Sequence, residues 1–154
     1  MKFVILNKLL KKALNHVQSV VERRNAIQIL ANVKIEASEQ GNITLTATDM
    51  DISSKDSVDS KVSKAGSTTV PAHMLYDIIR KLPDDLEVKF SRTNDGGSNV
   101  DLTIGSSEFL LPCLPVEEFP NFEVGEYSHA FQINSEVLKT LFGKTLHAVS
   151  PDET

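Results

Sequence analysis

The chain has 154 residues, 40% of them hydrophobic and 24% charged, a balance that excludes a disordered or membrane-embedded protein. This length is enough for one complete domain with its own core and part of a second. The formal net charge of −5 argues at first against a nucleic-acid partner, and the single cysteine excludes an internal disulfide.

The charge is distributed unevenly along the chain. Residues 1–24 carry six basic side chains and one acidic side chain, a net charge of +5, so the remaining residues total −10. The basic residues are Lys2, Lys8, Lys11, Lys12, Arg23 and Arg24. The sequence therefore predicts a basic patch at one end of an acidic body.

The sequence also indicates the cellular compartment. No apolar run approaches the roughly 18 residues that span a bilayer, and the first residues do not resemble a signal peptide. Cys113 lies in the apolar run 109–114, which agrees with a reducing environment. We therefore expect a cytoplasmic protein with no membrane partner.

The first predicted elements are a strand and a helix. Residues 3–6 have a strand pattern and Asn7 is a residue type that caps helices, so we predict a helix over residues 8–21. Its apolar stripe comprises Leu9, Leu10, Ala13, Leu14, Val17, Val20 and Val21. Three lysines and an asparagine occupy the other side, so a half-buried helix with a basic outer face is expected.

Alternating apolar residues predict the strands that follow. Residues 29–37 and 43–47 form a hairpin around a turn at 40–42. The polar run 52–62 is typical of an exposed or edge strand.

A second strand, helix and three strands are predicted next. Residues 68–70 have a strand pattern, Pro71 suits the first helical position and Pro83 ends the helix. The buried stripe of this helix comprises Leu75, Ile78, Ile79 and Leu82. Strands are predicted over residues 86–90, 100–104 and 108–114.

The sequence repeats itself. A shift of 65 residues places Leu10 on Leu75 and makes the apolar stripes coincide, and a shift of 128 places Leu10 on Leu138. The pattern predicts an α+β fold with two βαβββ units per domain. The first domain is expected over residues 1–126, and residues 127–154 are expected to begin a second, incomplete domain.

An acidic segment with prolines joins the two predicted domains. Residues 115–126 have the composition of an interdomain connector. The shift of 128 places Asn7 on Ser135, which is also a capping residue type. Because the further strands of the second unit are missing, we expect that it cannot form its own core.

No residue pattern predicts catalysis. The histidines are scattered without the spacing of metal ligands. Asp49 and Asp51 resemble an Asp-x-Asp metal pair, yet they follow a strand at a turn. The loop 94–98 lacks the lysine and helix of a phosphate-binding loop, and an apolar strand disfavours a Cys113 thiolate. We predict no enzyme, no metal site and no cofactor.

Several short motifs together resemble a known family. They are Met1-Lys2-Phe3, Ile29-Leu30-Ala31-Asn32, Leu45-Thr46-Ala47-Thr48-Asp49-Met50-Asp51, Val70-Pro71-Ala72, Leu82-Pro83, Leu114-Pro115 and Phe119-Pro120-Asn121. In their order and spacing they resemble the beta subunit of bacterial DNA polymerase III, and the likeness runs over the whole chain.

The resemblance implies a DNA-clamp fold and a sliding-clamp function. Three such domains per chain would pair head to tail with a second subunit into a dimeric ring around double-stranded DNA. Helices would line the inner face and sheets the outer face. The ring would tether the replicative polymerase, and polymerase and clamp loader would bind through domains that these residues do not contain.

The resemblance also implies DNA contacts. Arg24 and His73 align with family DNA-binding positions, and Lys8, Lys12 and Arg80 follow from the helix faces. Such contacts would meet phosphates without reading bases, because base contacts would hold a ring at one site. The alternative for the lysines is an ordinary solvated helix face.

A dimer interface is implied at the strand over residues 108–114. Phe109 and Leu111 would supply apolar contacts, with Met74 of the second helix beside them. Core packing is the alternative for these side chains. The strand lacks the basic residues that some relatives carry there, so apolar burial is expected to contribute more.

Three hypotheses from different classes follow. The first is the sliding clamp, and the second is an interaction domain of similar fold that does not bind DNA. The third is an enzyme that uses Asp49 and Asp51 with a divalent metal. Preference for circular over linear duplex separates the first two, and loss of activity in Asp49→Ala would indicate the third.

Overall fold

The computed structural model describes residues 1–21, 27–92, 98–121 and 128–150. The chain divides into two compact units, Met1–Phe122 and Glu123–Thr154, which are described separately. None of the helices in the described ranges combines the length and apolar character needed to cross a membrane.

The elements of the first unit follow the predicted order. They are β1 (Lys2–Leu6), α1 (Asn7–Val17), β2 (Asn32–Ala37), β3 (Asn42–Thr48), β4 (Ser53–Asp59), β5 (Lys61–Lys64), β6 (Gly66–Pro71), α2 (Ala72–Ile79), β7 (Glu87–Ser91), β8 (Asn99–Ile104) and β9 (Ser107–Pro112), with 3-10 turns at Gln18–Val20, Gln28–Ala31 and Val116–Glu118. The order β1-α1-β2-β3-β4 and then β6-α2-β7-β8-β9 confirms the α+β class and the two βαβββ units.

The two repeats interlock through their first strands. One antiparallel sheet has the strand order β5-β1-β7-β8-β9 and the other has the order β4-β3-β2-β6. Thus β1 of the first repeat pairs with β7 of the second, and β6 of the second repeat pairs with β2 of the first. Because neither repeat completes a sheet alone, we expect both to fold as one cooperative unit.

The larger of two hydrophobic clusters among the described residues joins both sheets and both helices. Phe3 of β1 stacks on Phe90 of β7, with ring centroids 4.7 Å apart and ring planes 12° from parallel. Leu10, Leu14 and Leu75 on the helices are fully buried, as their stripes predict. Burying each such leucine contributes about 1.5–3 kcal/mol.

Asn7 does not cap α1. The helix begins at Asn7 itself and no side chain caps it. The buried Asn7 amide nitrogen instead donates to the carbonyl oxygens of Ile79 at 3.2 Å, Leu82 at 3.0 Å and Pro83 at 2.9 Å. The last carbonyls of a helix have no partner within it, so Asn7 ties the start of α1 to the end of α2.

The predicted helix boundaries also need correction. The helix predicted over residues 8–21 ends at Val17 and continues as the 3-10 turn Gln18–Val20. Leu9 is 38% exposed because it lies at the margin of the apolar stripe. Pro71 stands one residue before the first helical position of α2.

The polar run predicted as an edge strand supplies an edge to both sheets. β4 is the outer strand of the four-stranded sheet and β5 is the outer strand of the five-stranded sheet. Between them the Ser60 N–H donates to the carbonyl oxygen of Gly41 at 2.8 Å, and the positive φ of Gly41, 84°, suits glycine. The edge-strand prediction is confirmed.

The start of the predicted connector packs on the first unit. The Thr69 hydroxyl donates to the carbonyl oxygen of Leu114 at 2.8 Å and accepts from the Leu114 N–H at 3.0 Å and from the Asn32 amide at 3.2 Å. Phe119 is buried against Ile29. The connector is therefore anchored as far as Phe119. The predicted domain boundary at residues 126 and 127 lies outside the described residues.

The second unit contains α3 (Ser135–Thr145) and a 3-10 turn at Leu146–Ala148. The cap of α3 is Asn134, one residue before the predicted capping residue, and its side-chain oxygen accepts from the Glu136 N–H at 2.8 Å. Every residue over 128–150 is exposed, including the large apolar Phe142 at 65%. None of these side chains is thus buried by the residues that the structure describes.

Candidate nucleic-acid interface

α1 and α2 lie against each other and expose their polar sides. Lys8 and Lys12 are exposed and stand four residues apart, so both ammonium groups project from the same side of α1. The Tyr76 hydroxyl of α2 donates to the Asn15 side-chain oxygen of α1 at 3.2 Å. The surface formed by Lys8, Lys12, Asn15, Tyr76 and Arg80 is called the helix face below.

Ion pairs neutralise part of the charge around the helix face. Arg80 Nε lies 2.8 Å from Asp77 Oδ1, and Lys11 pairs with Asp84. Exposed pairs of this kind contribute only about 0–1 kcal/mol, so Arg80 can exchange Asp77 for another anion. The two lysines of the helix face have no ion-pair partner in the described part of the chain.

Of the two DNA contacts predicted by alignment, one can be located. Arg24 lies outside the described residues. His73 of α2 is half-buried, and its Nε2 lies 3.0 Å from the carbonyl oxygen of Val21. Because a carbonyl oxygen only accepts, Nε2 carries the proton and donates. The structure therefore places His73 against the backbone of Val21.

A second candidate surface lies beside β9, the outer strand of the five-stranded sheet. Here α2 and β9 enclose a mainly apolar groove of about 460 Å³. It is lined by Met74, Asp77, Ile78, Lys81, Leu82 and Phe109. This β9 groove contains two of the three predicted dimer contacts.

The third predicted dimer contact needs correction. Leu111 is 1% exposed and belongs to the core, so the core-packing alternative describes its side chain. Phe109 faces the same side of β9 and is partly buried at the margin of the core. Leu110 faces the opposite side and is 62% exposed. The sequence analysis did not single out Leu110, although the alternation of apolar residues along the strand indicated that its side chain is exposed.

Comparison with known proteins identifies the family. Residues 1–123 match the family model of the DNA polymerase III beta subunit, N-terminal domain. The chain belongs to this family. The resemblance drawn from the sequence motifs is thereby confirmed.

Relatives of this beta-subunit domain are named as sliding clamps. The Beta sliding clamp of Caulobacter vibrioides (strain NA1000 / CB15N) is 41% identical over 154 residues, covering 100% of this chain and 41% of that protein. The Beta sliding clamp of Chlamydia muridarum is 34% identical with the same coverage. The chain thus spans about two fifths of the length of the curated relatives it matches.

Solved structures agree with the fold. The crystal structure of the DNA polymerase sliding clamp from Caulobacter crescentus matches with a TM-score of 0.92 at 40% identity, over 100% of this chain and 41% of that chain. A DnaN sliding clamp from Pseudomonas aeruginosa bound to griselimycin matches with a TM-score of 0.91 at 31% identity and the same coverage. The predicted clamp fold is confirmed.

The two repeats of this beta-subunit domain differ where the helix meets the outer strand. In the first repeat, His16 Nδ1 of α1 lies 2.7 Å from Asp56 Oδ2 of β4. Asp56 of β4 and Phe109 of β9 occupy corresponding positions, each opposite a buried leucine of the preceding strand. A polar pair therefore bridges α1 and β4, whereas the corresponding position between α2 and β9 is the apolar β9 groove.

The aspartates of the metal-enzyme hypothesis form a turn. Asp49 Oδ1 accepts from the backbone N–H of Asp51 at 2.9 Å and of Ile52 at 2.7 Å. Met50 between them has a positive φ of 85°. Among the described residues, no group of three or more His, Cys, Asp or Glu could hold a metal ion. The structure gives Asp49 a turn-capping role.

The Cys113 thiol lies in an environment that disfavours its anion. Burial raises the pKa of Cys113 above its ordinary value. The Thr68 hydroxyl, which donates to the sulfur at 3.3 Å, and the positive charge of Arg92 act to lower the pKa, but burial has the larger effect. A reactive thiolate is therefore not favoured at this position.

Proposed function

We propose that this chain forms the first domain of a sliding clamp that encircles double-stranded DNA and tethers the replicative polymerase. The observation that carries the proposal is the exposed helix face, where Lys8 and Lys12 are free of ion pairs within the described chain. A ring that slides needs diffuse phosphate contacts and no contacts to base edges. Lysine suits this role because its flexible stem presents a point charge without fixed geometry.

We also propose how the domain is assembled into a ring. The first domain comprises residues 1–126, and residues 127–154 begin the second. The β9 groove, with Phe109 and Met74, would meet the third domain of a second subunit in a head-to-tail dimer. An outer strand beside an apolar groove supports this assignment, because such an edge pairs readily with another strand. Polymerase and clamp loader would bind other domains of the ring.

Ring closure tests the clamp proposal. A chimeric subunit would carry this chain in place of the matching residues of the Caulobacter vibrioides relative. The chimera would be loaded on nicked circular duplex and separated from free protein at high salt by gel filtration, before and after linearisation. Salt screens charge contacts but leaves a topological link intact, so we expect retention on the circle and loss after linearisation.

The unmodified Caulobacter relative is the matched control for this experiment. Equal retention of the chimera on circular and linear duplex, when the relative discriminates between them, would contradict the clamp proposal. That result would favour an interaction domain of similar fold without DNA binding.

The double variant Lys8→Gln/Lys12→Gln should weaken binding of the 154-residue chain to a short linear duplex. We expect about a tenfold loss of affinity at low salt, for every duplex sequence, because two phosphate contacts are removed. The slope of log affinity against log salt should fall by up to about 2. Fluorescence anisotropy of a labelled duplex over a salt series measures both quantities.

A charge-matched control removes two lysines from the sheets instead. Lys55 of β4 and Lys89 of β7 are exposed, and Lys55→Gln/Lys89→Gln changes the net charge by the same amount. We expect less than a twofold loss of affinity for this control. An equal loss in both double variants would show that overall charge, and not the helix face, determines binding.

A further inference from the structure

A row of polar side chains runs along α1 on the helix face. Lys8, Lys12 and Asn15 follow one another at spacings of four and then three residues, so their side chains lie one above another on the same side of the helix. All three residues are exposed. The row therefore begins with two charged hydrogen-bond donors and continues with a neutral side chain that also has N–H groups to donate.

Two hydrogen bonds hold the side-chain oxygen of Asn15. Its Oδ1 accepts from the Tyr76 hydroxyl of α2 at 3.2 Å and from the Gln18 side-chain nitrogen at 3.4 Å. An amide oxygen has two lone pairs, so these two donors use its whole accepting capacity. The Asn15 side-chain nitrogen donates to no residue in the part of the chain that the structure describes. Its two N–H groups are therefore available to an acceptor outside this part of the chain.

We infer that Asn15 is a neutral phosphate contact of the helix face and that Tyr76 is the residue that positions it. A phosphate oxygen accepts hydrogen bonds, and side-chain amides are among the groups that contact DNA phosphates without reading the base sequence. By holding Oδ1 of Asn15 from the neighbouring helix, the Tyr76 hydroxyl keeps the amide nitrogen as the end that can donate. The inference rests on the proposed DNA-binding function.

The absence of charge gives Asn15 a signature that distinguishes it from the lysines. A lysine that neutralises a phosphate releases a counterion, so removing it lowers the slope of log affinity against log salt. An amide releases no counterion. Asn15→Ala should therefore weaken binding to a similar extent at every salt concentration and leave this slope unchanged, whereas Lys8→Gln/Lys12→Gln lowers it.

Three substitutions in the 154-residue chain test the inference. Asn15→Ala removes the amide, Tyr76→Phe removes only the hydroxyl group that holds it, and Asn99→Ala removes an exposed asparagine of β8 as the matched control. Binding to a short labelled duplex would be followed by fluorescence anisotropy over a salt series, after circular dichroism has shown that each variant is folded.

We expect Asn15→Ala to weaken binding about three- to tenfold, the effect of losing one hydrogen bond, and Asn99→Ala to bind like the parent chain. Tyr76→Phe should weaken binding about two- to threefold, because the amide group is then free to turn. In an Asn15→Ala background, Tyr76→Phe should cause no further loss, since the hydroxyl acts only through Asn15.

Other outcomes overturn the inference in distinguishable ways. If Asn15→Ala binds like the parent chain while Lys8→Gln/Lys12→Gln loses affinity, Asn15 makes no contact and the proposed function stands. If Tyr76→Phe binds normally, or if it weakens the Asn15→Ala variant further, Tyr76 does not act by positioning Asn15. If none of these variants loses affinity, including the lysine pair, the proposed function fails as well.

Discussion

Replacing Asn7 with aspartate is expected to lower the free energy of unfolding by more than about 3 kcal/mol at pH 7. The amide nitrogen of the fully buried Asn7 donates to the carbonyl oxygen of Ile79, at the end of α2, and to those of Leu82 and Pro83 just after it. An ionised carboxylate has no hydrogen to donate and would bring a negative charge against those oxygens. Because domains are stable by only about 5–15 kcal/mol, this loss is a large fraction of the total.

The loss of unfolding free energy caused by Asn7→Asp should become smaller as the pH falls. Burial beside carbonyl oxygens raises the pKa of the introduced carboxyl group in the folded state above its unfolded value of about 3.9. Between these two pKa values the folded protein binds a proton that the unfolded chain does not. Stability relative to the parent chain therefore falls as the pH rises through this window and recovers below it.

Urea unfolding followed by circular dichroism, at pH 7 and at about pH 4, measures both effects. Asn15→Asp is the matched control, because Asn15 is exposed on the same helix and accepts from Tyr76, which a carboxylate can also do. We expect this control to change stability by less than about 0.5 kcal/mol. If Asn7→Asp and Asn15→Asp were equally stable, the hydrogen bonds from Asn7 to the carbonyl groups at and after the end of α2 would not stabilise the domain.

The architecture was predictable where it depends on local periodicity. Leu10 and Leu75 occupy corresponding places in the two repeats, and both are fully buried as the stripes indicate. The exchange of first strands was not predictable in this way. The pairing of Phe3 with Phe90 joins residues far apart in sequence, and no local pattern distinguishes it from pairing within one repeat.

The same distinction applies to the candidate site. The exposure of Lys8 and Lys12 follows from the helical period. The partner of His73 does not follow from any pattern, because its acceptor is a backbone carbonyl group and every residue has one. At β9, the resemblance singled out Leu111 as an interface contact, whereas the burial of its side chain depends on how the strand packs on the core.

In the chimeric ring subunit, Met74→Glu is expected to weaken the dimer at least about 100-fold. Met74 is 48% exposed and lines the β9 groove, so the substitution should leave folding of the domain nearly unchanged. On association the glutamate would lose water in a mainly apolar groove, whose charged lining residues, Asp77 and Lys81, carry one charge of each sign. An unpaired buried charge costs about 3–5 kcal/mol, which corresponds to a 100- to 1,000-fold change in affinity or more.

The control for Met74→Glu lies on the strand beside the groove. Leu110 of β9 is even more exposed, at 62%, but its side chain points to the opposite side of the sheet from Phe109. If the β9 groove is the dimer contact, Leu110→Glu should change the dimer dissociation constant by no more than about threefold, since its charge stays in water. Sedimentation velocity over a dilution series measures both variants. Dissociation by Leu110→Glu, with an intact dimer in Met74→Glu, would place the contact on the other face of β9.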